Sequence, residues 1–198
     1  ENLARYKDVS REDMDHFAVR SQNLAEKAIA NGFFSAEITP VTLPDGTVVR
    51  TDDGPRAGTT YEGVSGLKPV FRPDGRITAG NACPLNDGAA ALVIMSDTKA
   101  EQLGITPLAR VVSTGVTGLS PEIMGYGPVE ASKQALGRAG LSIDDIDLVE
   151  INEAFAAQVL PSARDLGIDE EKLNVHGGAI ALGHPFGMTG ARITTTLL

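Results

Sequence analysis

The sequence predicts an α/β protein in which strands and helices alternate in layers, on two main observations. Apolar runs of strand length at residues 89–95, 148–151 and 173–175 are separated by helix-spaced segments at 128–139 and 155–166. The composition, 42% hydrophobic and 22% charged over 198 residues, is that of a globular domain and excludes disordered and collagenous chains.

The first element starts at Ser10 and Asp13, a helix-start pair, after which Met14, Phe17, Ala18, Ser21, Leu24, Ala25, Ala28 and Ile29 recur at helical spacing until Asn31-Gly32 stops it. Residues 38–43 and 47–50 flank Pro44-Asp45-Gly46, a hairpin signal whose Asp-Gly step accepts positive φ. From there to Gly80, Gly, Pro and charge dominate, and an irregular loop subdomain is expected. Residues 89–95 then read as a strand buried on both faces. A short helix over 99–103, an apolar segment over 108–116 and a helix over 128–139 closed by Gly140 follow. Leu148 to Ile151 is a further strand, and the helix from Phe155 leads to the strand at 173–175.

Seventeen Lys+Arg stand against 26 Asp+Glu, a net charge of −9, so nucleic acid and anionic membranes are repelled by the mean surface. No apolar run approaches the roughly 18 residues of a membrane span. The lone cysteine, Cys83, cannot form an internal disulfide, and no zinc spacing is present, so a reducing compartment and no metal are expected. The opening residues lack an initiator Met, an apolar signal core and a basic presequence, and the chain stops in an uncapped apolar run. A piece of a longer protein is expected.

Three segments hold residues suited to chemistry. HGGAIALGHPFGMTGAR, residues 176–192, carries five glycines around the imidazole of His184. Glycines let backbone approach closely, and Pro185 is expected in the first turn of a helix whose dipole favours developing negative charge, a place for an oxyanion. NEAFA, residues 152–156, sets Asn152 at the carboxyl end of a strand, where layered α/β folds line their crevices. Residues 78–88 are small and polar. Taken singly, each segment fits a packing role as well: a tight turn, a helix cap, a close-approach loop.

In combination TAGN with NDGAA, NEAFA, and GGAIALGHP with GMTGAR resemble the thiolase family, the acyl-CoA C-acyltransferases, over the carboxyl-terminal half or so of such a protein. The resemblance implies a partial thiolase-like layered αβαβα fold. In it, residues 1–85 belong to a CoA-binding loop domain, 86–106 to the last strand and helix of the amino-terminal half, and 107–198 to a truncated carboxyl-terminal half. It implies CoA-dependent retro-Claisen cleavage of a 3-ketoacyl-CoA, or the reverse condensation, with CoA as substrate and no permanently bound cofactor. His184 and a water held by Asn152 become the donors to the thioester enolate. Arg56 becomes a contact to the CoA nucleotide, in a stretch, residues 50–76, where five basic side chains outnumber four acidic ones. Leu67, Phe71, Ala79 and Cys83 become walls of the pantetheine tunnel, and Met124 and Phe155 walls of the acyl pocket. His176 positions its loop, His16 is a solvated surface residue, and Glu153 is structural.

The nucleophilic and acid/base cysteines of the family are absent from these residues, so this stretch alone is expected to be inactive and to leave apolar strand faces uncovered. The resemblance further implies a cytoplasmic, homodimeric or homotetrameric enzyme of lipid metabolism such as fatty acid β-oxidation. Two other readings share the fold: a non-catalytic lipid or CoA carrier, and a ketoacyl-synthase-like condensing enzyme. The latter usually has histidine where this chain has Asn152.

Overall fold

The structure, a computed structural model, describes residues 1–198. Helix α1 (Asn2–Tyr6) leads into α2 (Arg11–Ala30), where Ser10 accepts a hydrogen bond from the Asp13 amide and Asn31 closes the last turn. Both ends of α2 fall where the sequence places them. Met14, Phe17, Ala18, Ala25 and Ala28 are buried, whereas Ile29, expected on the same face, is exposed in the last turn. The hairpin is real but shorter than expected: β1 (Val41–Thr42) pairs antiparallel with β2 (Val48–Val49), Val41 opposite Val49, with Gly46 at φ +87°.

The remaining helices are α3 (Tyr61–Ser65), α4 (Asp97–Leu103), α5 (Gly127–Ala139), α6 (Ala156–Leu166), α7 (Ala179–Leu182) and α8 (Thr189–Leu197). A 3-10 turn, Pro121–Tyr126, precedes α5. Gly104, Gly140 and Gly167 end α4, α5 and α6 in the left-handed conformation.

The strand expectations are corrected. Residues 89–95, expected as a strand, join no ladder, and neither does the apolar segment 108–116. Val93 and Leu108 are each 86% exposed. A strand interior is a row of unpaired amides and carbonyls until a neighbouring strand supplies the partners, and no strand of this chain does so here. Residues 148–151 form only one parallel bridge, Val149 to Leu173. The accessible surface is 11920 Å², against ~8,900 Å² for a closed monomer of this mass. The excess is consistent with those uncovered runs.

What does close is the core around α2 and α6. Met14, Phe17 and Ala18 pack with Ala156, Val159 and Ala163 over Ile151, Leu173 and Ile180. This core supports the loop ends at 152 and 184. No helix is long and apolar enough to cross a membrane.

Candidate active site

Asn152 ends the segment that follows Val149. A second asparagine fixes its height: the Ile151 amide donates to Asn174 Oδ1 (2.8 Å) and Asn174 Nδ2 donates to the Ile151 carbonyl (2.9 Å). One buried carboxamide thus stands in for a neighbouring strand. Asn174 Nδ2 also donates to Glu153 Oε1 (2.8 Å). Glu153 is fully buried, and its Oε2 accepts from Ser21 Oγ on α2 (2.6 Å) and from the Ile180 amide (3.1 Å). Ser21 Oγ in turn accepts from the Gly178 amide (3.0 Å). Glu153 therefore fastens three segments together, the structural role expected of it. Burial pushes its carboxyl up, against the lowering pull of those hydrogen bonds. Gly178 has no choice of side chain, since a Cβ there would lie 2.2 Å from Glu153 Cδ.

His184 follows α7 through Gly183, at φ +94°, where a Cβ would strike the Asn86 carboxamide. Asn86 Oδ1 accepts from the His184 amide (3.1 Å), which draws the 86–88 loop to the imidazole. Pro185 does not sit in the first turn of α8, as expected, but four residues ahead of it; its carbonyl accepts from the Met188 and Thr189 amides.

The imidazole meets Thr189 Oγ1 at Nδ1 (2.7 Å) and Asn152 Nδ2 at Nε2 (3.2 Å). The Thr189 hydroxyl donates its one proton to the Pro185 carbonyl (3.0 Å), so its oxygen accepts from Nδ1–H. Nε2 then carries the lone pair and accepts from the Asn152 amide. Burial, with the nearby Arg192 cation adding to it, holds the His184 pKa below the ordinary histidine value, so the ring is neutral near pH 7. This refines the expectation of a donor: Nε2 begins as a proton acceptor and donates only after taking a proton.

The residues expected to bind CoA distribute unevenly. Phe71, Met124 and Phe155 line one cavity of about 260 Å³ with Ile77 and the α1 end, Phe71 and Phe155 meeting edge to face at 6.1 Å. Leu67, Ala79, Cys83 and Arg56 do not line it, and neither do Asn152 and His184. Leu67 covers Gly80, where a Cβ would approach its Cδ1 to 2.8 Å. Cys83 runs beside the Asn152 loop, its amide donating to the Ala154 carbonyl (3.1 Å), and burial pushes its thiol up. Such a thiol is a poor nucleophile. Arg56 is pinned by its backbone, its amide donating to Gln22 Oε1 (2.9 Å), with the side chain exposed. His176 stacks on Phe33 at 3.6 Å, and His16 on Tyr61 at 4.2 Å.

Asn86, Thr189, Asn174 and Ser21 escape sequence reasoning. Only the place of Asn86 and Thr189 in polar or glycine-rich stretches, and of Ser21 on the apolar face of α2, hints at a role, because each acts through a partner far along the chain or through a tautomer.

The sequence matches the family models for the thiolase N-terminal domain over residues 1–98 and the thiolase C-terminal domain over 105–198. The chain belongs to the thiolase family. It is 52% identical over 202 residues to an acetyl-CoA acetyltransferase of Pseudomonas aeruginosa, which covers 100% of this chain and 51% of that protein. A 3-ketoacyl-CoA thiolase of Cronobacter sakazakii is 53% identical over 206 residues, covering 100% and 53%.

Among solved structures, the acetyl-CoA acetyltransferase of Bacillus anthracis superposes with a TM-score of 0.96 at 49% identity, over 99% of this chain and 50% of that one. Human mitochondrial 3-ketoacyl-CoA thiolase in complex with CoA gives 0.92 at 46%, over 99% and 49%. The fold is therefore part of the thiolase α/β fold, and the chain spans about half the length of these relatives.

Proposed function

We propose that the protein containing this chain is an acyl-CoA thiolase, cleaving a 3-ketoacyl-CoA with CoA to acetyl-CoA and a shortened acyl-CoA, or running the condensation in reverse. The observation that carries this reading is the 3.2 Å contact between Asn152 and His184, two side chains 32 residues apart in a family whose members are named for this chemistry.

In the cleavage direction His184 Nε2 takes the proton of a cysteine thiol supplied from outside these residues. The thiolate attacks the 3-keto carbon, the C2–C3 bond breaks, and its electron pair leaves as the acetyl-CoA enolate. The imidazolium Nε2–H, now a donor, and a water held by Asn152 face the enolate oxygen. Preorganised donors of this kind are each worth roughly 10² to 10³ in rate. An acid/base cysteine, also outside these residues, gives its proton to the enolate carbon to form acetyl-CoA and regains one from the incoming CoA thiol. The CoA thiolate then takes the shortened acyl chain, and the departing cysteine recovers its proton from His184.

The cavity of Phe71, Met124 and Phe155 takes the acyl end. Leu67, Ala79 and Cys83 follow the pantetheine arm, and Arg56 the nucleotide phosphates or adenine. Residues 1–85 act as the loop domain, 86–106 as the end of the amino-terminal half and 107–198 as the carboxyl-terminal half. Without the nucleophile the 198 residues alone are inactive. The setting proposed for it is that of a homo-oligomeric, cytoplasmic enzyme of fatty acid β-oxidation.

The test is product stoichiometry. The protein given acetoacetyl-CoA and CoA yields two acetyl-CoA per substrate consumed; release of free acetoacetate, or binding without turnover, contradicts the proposal.

A further inference from the structure

Beneath His184 lies a charged group that the reaction above does not use. Arg192, on the same face of α8 as Thr189 and three residues beyond it, places its guanidinium 3.6 Å from Glu150 Oε2, with side chains 13% and 5% exposed. Nε and both Nη atoms of Arg192 are buried and hydrogen-bonded to nothing, and Glu150 Oε2 is equally without a partner. Glu37, which accepts from Thr196 Oγ1 (3.1 Å), and Asp52 also feel the Arg192 charge. One buried cation therefore faces three carboxyl groups from three segments. Glu153 and Asp53 complete the charged surroundings.

The ends of this pair matter. Glu150 stands two residues before Asn152, and Arg192 is on the helix whose Thr189 holds His184. We propose that Arg192 is a positioning residue: through Glu150 it ties α8 to the segment carrying Asn152 and so sets the Asn152–His184 contact. This rests on the thiolase reading only for its consequence in catalysis.

With no N–H hydrogen-bonded, the tie is Coulombic and does not use the guanidinium fork, so a lysine ammonium can serve in its place. Burial pushes the Glu150 carboxyl up to about 8 despite Arg192. The pair thus becomes fully ionic as pH rises through that value, while below it Glu37 and Asp52 supply part of the attraction.

The experiment compares R192M, R192K and E150Q in the whole protein by two readouts. The first is the 15N shift of His184 Nε2, which reports whether Asn152 still donates to it; the second is thiolysis of acetoacetyl-CoA. In R192M the Nε2 shift moves toward that of an unbonded ring nitrogen, and kcat falls about tenfold with KM within about twofold, the cost of a small misplacement. R192K recovers most of both. At pH 9, where the Glu150 carboxyl is ionised, E150Q shows the R192M pattern, which keeps the test open if R192M does not fold.

An unmoved Nε2 shift in R192M, or in E150Q at pH 9, overturns the proposal, as does an R192K no better than R192M. A shift that moves as described in a protein without thiolysis leaves the tie standing and removes the functional reading.

Discussion

The Thr189 hydroxyl lies 2.7 Å from His184 Nδ1 and 3.0 Å from the Pro185 carbonyl, and its donation to that carbonyl assigns the hydrogen of the neutral ring to Nδ1. Nδ1 carries the hydrogen and Nε2 faces Asn152. A change at Thr189 therefore acts on chemistry without touching substrate. T189V is expected to lower kcat roughly tenfold or more with little change in KM, since the wrong tautomer disables an imidazole base, and T189S is expected to restore it. Steady-state kinetics on the three proteins, read with the acid limb of the pH profile, checks this.

Cys83 is expected to be sluggish. Burial raises its pKa above the ordinary thiol value, so its thiolate fraction near pH 7 is small. Peptide mapping after brief iodoacetamide treatment at pH 7 should find Cys83 modified more slowly than an unstructured thiol. Modification at the free-thiol rate would contradict its placement beside the Ala154 carbonyl.

Gly178 to Ala introduces a methyl group into the Glu153 carboxylate, 2.2 Å from its Cδ. Since Glu153 is held by Ser21, Asn174 and Ile180, it cannot withdraw without leaving buried donors unsatisfied. A loss of about 2–4 kcal/mol is expected by denaturant unfolding. A loss below about 0.5 kcal/mol would mean that the clamp can yield.

Glu150 gives a pH dependence of fixed sign. Its folded pKa is raised to about 8 from an ordinary value of 4.5, so the folded chain binds the proton more tightly than the unfolded one. The contribution of this group is fully present below about pH 4.5 and is lost as pH rises to about 8. The urea midpoint should decline over that window, and E150Q should flatten the decline. An identical slope in E150Q would show that other groups set it.

How much of this the sequence contains depends on how local each cause is. The limits of α2 follow from Ser10, Asp13 and Asn31, all within the helix or beside it, and the hairpin turn follows from Asp45-Gly46. Residues 89–95 read as a buried strand and 108–116 as an apolar segment, and neither is paired, because a strand is completed by neighbours from anywhere in the chain, and composition cannot supply them. Asn152 and His184 are legible as motif residues, but the network joining them is not. Asn174 standing in for a strand and Asn86 gripping the His184 amide are each a single side chain meeting distant backbone, and Thr189 sets a tautomer through one hydroxyl contact to the ring.

The uncovered runs have a direct signature in the 198-residue chain. Amides at 89–95 and 108–115 should exchange with deuterium orders of magnitude faster than those in the middle of α2, since they lack internal acceptors, unlike the Val116 amide, which donates to Gln134 Oε1 (2.9 Å). Equal protection would require partners that the structure does not show.

The most direct measurement is a double-mutant cycle on kcat for acetoacetyl-CoA thiolysis, with H184A, N152A and the pair in the whole protein. Two groups serving one enolate oxygen lose their effect together, so each single change is expected to cost about 10² or more and the double little beyond the worse single. Near-native turnover in H184A, or costs that simply multiply, would contradict a shared site built on the Asn152–His184 contact.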